Sequence, residues 1–161
     1  MAYEIYISRE KRGLGHANAA ACIKKAAAMA LRAEGVDKAL VSVMLTDDEG
    51  IRCVNREFRG VDSATDVLSF PLNELEPGRF DPQLCERDPE TDAVLLGDMM
   101  ISLPRCEAQG GEFGHGFERE IMYLTVHSIL HLLGYDHVDE GEGKRQMRMR
   151  EKLIMGENEY D

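Results

Sequence analysis

Apolar positions change their period along the chain, and each change marks an element. Residues 4–7, Glu-Ile-Tyr-Ile, alternate and predict a first strand. From Ala17 to Glu34 the chain is alanine-rich, opens near Asn18 and stops before Gly35, which predicts a helix of high intrinsic propensity. Alternation returns from Ala39 to Leu45, with Val41, Val43 and Leu45 on one face, and predicts a second strand. Thr46-Asp47-Asp48-Glu49 then has the form of an N-cap with acids in the first turn, and a helix is expected over Asp47 to Phe58.

Thr65 to Pro71 reads as a short strand closed by proline, and Val94 to Ser102 as another, kinked or bulged at Gly97. Between them, residues 74–93 are rich in Pro, Asp and Glu without apolar periodicity, which predicts a mobile surface loop. Pro104 to Gln109 suits a short helix ended by Gly110-Gly111. Phe117 to Leu133 is apolar almost all round and predicts a buried helix, and Asp139 to Ile154 predicts a last one. Strands alternating with helices early and helices clustering late predict one α+β (mixed α/β) domain over residues 1–161. Its expected form is a small mixed four-stranded sheet surrounded by about five to six helices.

Composition narrows the setting. With 43% hydrophobic and 30% charged residues in 161, the balance is that of a soluble globular chain. The N-terminus is charged and alternating, so no signal peptide is expected, and Lys24 and Lys25 interrupt the most apolar early segment, so no membrane span is expected. Cys22, Cys53, Cys85 and Cys106 form no C-x-x-C pair, which predicts reduced thiols in a cytoplasmic protein; Cys22 and Cys53 fall in helices and read as small core residues.

A formal net charge of −11 repels phosphate on average, so any nucleic acid must be met by a local basic surface. Arg52, Arg56 and Arg59 share one helix face. Arg52 and Arg56 read equally as a solvated face paired with Asp48 and Glu49, whereas Arg59 stands at the helix exit before Gly60, where it can reach over a cleft. The bases of the last helix are interspersed with Glu142 and Glu151, which predicts a salt-bridged solvent face.

Chemistry concentrates between residues 127 and 137, where three of the five histidines fall. On a helix His127 and His131 stand one turn apart on one face and can aim two imidazoles at one ion. Gly134 follows where a helix exit favours glycine, and the chain can then return His137 as a third ligand. Three neutral imidazoles with an open fourth position are the arrangement of a catalytic zinc site. The H-x-x-x-H-x-x-G-x-x-H pattern is also the zinc frame of metzincin proteases, which carry a glutamate base after the first histidine. Here that position is Ser128, which disfavours peptide hydrolysis. Among carboxylates, Glu120 is about 10 Å from His127 along the helix axis. Asp66, Asp98 and Asp136 approach only through folding, Asp136 as a candidate to orient a ligand histidine.

Four segments together carry a family resemblance: Phe58-Arg-Gly, Thr65-Asp-Val-Leu-Ser-Phe-Pro, Leu96-Gly-Asp, and His127 through His137. In that order the chain resembles the bacterial YbeY-type endoribonucleases, or rRNA maturation factors. The resemblance implies a hydrolase of single-stranded RNA, binding one Zn2+ per chain through His127, His131 and His137. It implies work in ribosomal RNA maturation, including 16S 3′-end processing, and in ribosome quality control. A ribosomal subunit or ribosomal protein is then the expected partner, with no membrane and no DNA. Arg59 matches the family's functional arginine and is the candidate catalytic residue; Ser128 stands where many members have glycine. The competing reading is a non-catalytic ribosome-assembly factor with a structural metal, and a metalloprotease is the third.

Overall fold

The computed structural model describes residues 2–136 and 141–156. The elements run β1 (Ala2–Arg9), α1 (Ala19–Ala33), β2 (Lys38–Thr46), α2 (Asp48–Arg59), β3 (Val67–Pro71), β4 (Val94–Ser102), α3 (Leu103–Glu112), α4 (Gly116–Leu132) and α5 (Glu142–Met155). The four strands form one mixed sheet in the order β1-β2-β4-β3, parallel except for the β3–β4 pair. This is the expected α+β architecture, with five α-helices among the described residues. The expected start of the last helix at Asp139 lies outside the described residues.

The alternation in β2 has its predicted cause: Val41, Val43 and Leu45 enter the main core with the alanine face of α1 and the leucines of α4. β4 is covered on both sides. Met99 and Ile101 join that main core, while Met100 between them packs with Ile51 of α2 and Leu68 of β3. The irregularity expected at Gly97 is a bulge. Leu40 pairs with Leu95 and Val41 with Gly97, leaving Leu96 as the extra residue. Gly97 has φ +132°, and a Cβ there would come within 2.2 Å of the Phe70 carbonyl, so β3 and β4 meet this closely only because residue 97 lacks a side chain.

β3 is an edge strand, which explains how Pro71 fits. Ser102 N–H donates to the Asp66 carbonyl and Leu72 N–H to the Leu96 carbonyl, so the even residues between them face β4 and residues 67, 69 and 71 turn their backbone groups outward. The missing N–H of Pro71 therefore costs the ladder nothing.

Three expectations need correction. Gly110-Gly111 does not end α3, which runs through both glycines to Glu112. A Cβ on Gly110 would lie 2.5 Å from the Gly116 carbonyl, so the glycine permits a close crossing with the start of α4. The segment 74–93 is tied down: it contains a 3-10 turn (Pro82–Leu84) and a bridge from Arg87 to Val94. Asn73 fastens it further, its amide donating to the Leu95 carbonyl at 2.8 Å and accepting from Glu86 N–H at 2.9 Å. Among the cysteines, the fully buried core residue is Cys106, while Cys22 and Cys53 are only half-buried.

Candidate active site

A groove of about 760 Å³ runs along the free edge of β3, lined by residues 65–69 and 71 on one side and by His127, His131 and Gly134 to Asp136 on the other. Ser69 and Ser128 join these walls, their hydroxyls 2.7 Å apart. Ser128 is fully buried. It ties the edge strand to α4 and is not presented to the groove as a protease base would be.

The helix brings His127 and His131 together as their spacing requires. Their ring centroids are 4.6 Å apart with planes at 83°, and their Nε2 atoms are 3.1 Å apart. Each Nδ1 faces an acceptor: that of His127 meets the Glu151 carboxylate, and that of His131 lies 2.9 Å from the Tyr135 carbonyl. A carbonyl or carboxylate only accepts, so both Nδ1 atoms carry the proton, and in their neutral form both rings turn Nε2 lone pairs toward one point. Two nitrogens bound tetrahedrally to one zinc at 2.0–2.1 Å stand roughly 3.3 Å apart, so the pair fits such an ion. Among the described residues no group of three or more His, Cys, Asp or Glu is placed to hold a metal. His137, the third expected ligand, lies outside the described residues.

Arg59 is the final residue of α2, before Gly60 in the left-handed conformation that closes the helix. Its side chain is exposed and lines the groove. Arg52 and Arg56, on the same helix, are committed to Asp62, at 2.8 and 3.9 Å, with Glu49 a further partner of Arg52 at 3.7 Å. The expected partner Asp48 instead accepts from Ser102 Oγ at 2.8 Å and from Arg105 Nε at 3.4 Å. Among the described residues Arg59 has no ion-pair partner.

The candidate carboxylates separate. Asp66 and Asp136 line the groove, and Asp98, on β4, is not among its lining residues. Asp66 Oδ1 accepts from Val67 N–H at 2.7 Å and the Thr65 hydroxyl at 3.3 Å, which fixes its orientation. Glu120 is buried and bonded to His115 Nε2 at 2.7 Å; with its nitrogen turned toward the carboxylates, the Gln109 amide donates to Glu120 at 2.9 Å and to Asp66 at 3.2 Å. Burial raises the Glu120 carboxyl above its usual range, and His115 partly offsets this. Glu120 is thus part of a packed polar cluster between α3 and α4.

Glu151 is the residue that the solvent-face reading of the last helix missed. It is only 5% exposed, and its carboxylate also accepts from the Tyr123 hydroxyl at 3.1 Å. Burial and this carboxylate both push the Tyr123 phenol well up. The sequence does carry a signal, since Met147, Glu151 and Ile154 stand at helical spacing and form the buried face of α5. The surface reading does hold for Arg145 and Glu142, paired at 2.9 Å.

The family model for endoribonuclease YbeY matches residues 4–159. Curated relatives bearing that name include a Caldanaerobacter subterraneus protein, 48% identical over 76% of this chain and 75% of its own length. Another, from Desulforamulus reducens, is 47% identical over 79% of this chain and 78% of its own. In structure the chain is similar to TM1509 of Thermotoga maritima, solved in solution, with a TM-score of 0.55 at 27% identity over 94% of this chain and 89% of that one. With the family's pattern spanning nearly the whole sequence, the chain belongs to the YbeY endoribonuclease family.

Proposed function

We propose that the groove cleaves single-stranded RNA with one zinc ion held by His127, His131 and His137, in cytoplasmic ribosomal RNA maturation, including the 16S 3′ end, and in ribosome quality control. The activity class, hydrolysis of RNA phosphodiesters, follows from family membership. The observation that carries the metal assignment is the pair of Nε2 atoms 3.1 Å apart with both Nδ1 protons engaged elsewhere. Zinc bound there supplies Lewis acidity and a water acidified toward neutrality.

The chain's own groups do the rest. Arg59, exposed on the groove wall, stabilises the negative charge that builds on the phosphoryl oxygens, and its fixed donor fork suits that task. The outward backbone of β3 and the fixed Asp66 give an extended single strand a rigid wall to follow. Recruitment falls to a ribosomal subunit or ribosomal protein, because a chain of net charge −11 offers little general attraction to RNA.

The test is cleavage of single-stranded and duplex rRNA fragments before and after treatment with a chelator, with zinc added back. Loss of cleavage that zinc restores, confined to single strands, is expected. Undiminished cleavage by metal-depleted protein would refute the proposal. The acidic surface favours one other reading, a ribosome-assembly factor whose metal holds the fold together. It predicts that metal depletion unfolds the protein; a folded, metal-free and inactive protein excludes it. A protease is disfavoured by the burial of Ser128 where that chemistry needs an exposed base.

A further inference from the structure

Two neighbouring residues of α5 reach both imidazoles by separate routes. Glu151 accepts directly from His127 Nδ1. Arg150 turns the other way, to the end of α1, where its Nε donates to Glu34 at 2.7 Å and its terminal nitrogen to the Ala33 carbonyl at 3.1 Å. The second oxygen of Glu34 accepts from the Tyr135 hydroxyl at 2.6 Å, and the carbonyl of that same Tyr135 faces His131 Nδ1. Packing alone does not call for this arrangement. The side chains of Glu34 and Glu151 are 5% and 7% exposed, and burying carboxylates costs stability that apolar residues of similar size would not.

We infer that Arg150 and Glu151 of α5 form a two-armed positioning device that fixes the tautomer and aim of both metal-facing imidazoles, Glu151 directly and Arg150 through Glu34 and Tyr135. The inference rests on the metal reading above. A neutral imidazole has two tautomers, and only the one protonated on Nδ1 presents Nε2 to an ion. An acceptor held at Nδ1 selects that tautomer, and a carboxylate there also makes the ring a stronger donor. The device explains why a buried Glu and an Arg stand side by side on a helix whose Glu142 and Arg145 face water.

Full-length wild type, Glu151→Leu, Glu151→Gln and Tyr135→Phe are compared in two measurements: zinc affinity by competition with a chromophoric chelator, and 15N NMR of the imidazole nitrogens in metal-free protein. In wild type both rings should be protonated on Nδ1. Glu151→Leu should move His127, and not His131, toward the Nε2-protonated form, with zinc affinity falling about 100-fold; Glu151→Gln keeps an acceptor oxygen and should lose about tenfold. Tyr135→Phe cuts the other arm and should cost roughly severalfold in affinity with the His127 tautomer unchanged. A folded Glu151→Leu with wild-type affinity and tautomer would overturn the device. Should that variant not fold, Glu151→Gln decides by the same affinity measurement. Wild-type protein that binds no zinc would overturn the metal site itself, and the device with it.

Discussion

Arg52 and Arg59 stand on the same helix face, yet their surroundings give them different work. Arg52 is locked against Asp62 and Glu49, so its charge is spent within the protein, while Arg59 projects into the groove without an ion partner among the described residues. Replacing Arg59 should therefore leave folding nearly untouched. We expect Arg59→Glu to abolish RNA cleavage with its melting temperature within about 1–2 °C of wild type, as for a surface change, and with full zinc content. Parallel loss of thermal stability and activity would mean that Arg59 is a structural residue. The sequence separated Arg59 from its neighbours because Gly60 ends the helix there. It did not reveal that Asp62, beyond the turn, claims Arg52, since that contact depends on the path of the chain after Gly60.

At the level of elements, local signals were legible wherever one residue or one period sets the outcome. Asp47 is the N-cap of α2, accepting from Gly50 N–H at 2.9 Å. That bond, with Lys11 at 2.9 Å, holds its carboxyl below the usual value near 3.8. A depressed folded-state value means the stabilisation is present above the unfolded value and is lost as pH falls through the folded one. Asp47→Ala should cost about 1 kcal/mol near neutrality, or ~2–4 °C in Tm, with the difference shrinking as the pH falls through the lowered folded-state value. A gap of equal size at low and neutral pH would assign the effect to packing instead.

Gly134 marks the exit of α4 more strongly than its sequence position implied. Its φ is +101°, and a Cβ would meet the Leu75 carbonyl at 2.2 Å. Gly134→Ala should lose about 1–3 kcal/mol from the strained backbone alone, read as a lower denaturation midpoint. An unchanged midpoint would show that the turn relaxes without cost. What escaped the sequence were contacts between separate segments: Gly110 against Gly116, Asn73 pinning the acidic segment, and Glu151 meeting His127 across 24 positions. In each case the partner is set by tertiary packing, which neither period nor propensity encodes.

For the whole molecule, the conflict is between a net charge of −11 and a polyanionic substrate. With Arg52 and Arg56 committed to Asp62, and Arg150 to Glu34, few bases remain to displace counterions at the groove. Binding of single-stranded RNA should fall with salt at a log–log slope of only about −1.5 to −2, the release expected for two to three phosphates. A slope matching six or more would require a continuous basic channel, with Arg145, Arg148 and Lys152 the first residues to replace. The proposed chemistry depends most on the metal assigned to His127, His131 and His137. Elemental analysis of the purified chain beside His131→Ala tests it directly: one zinc per wild-type chain and a sharp fall in the variant are expected, and full stoichiometric zinc in the variant would contradict the assignment.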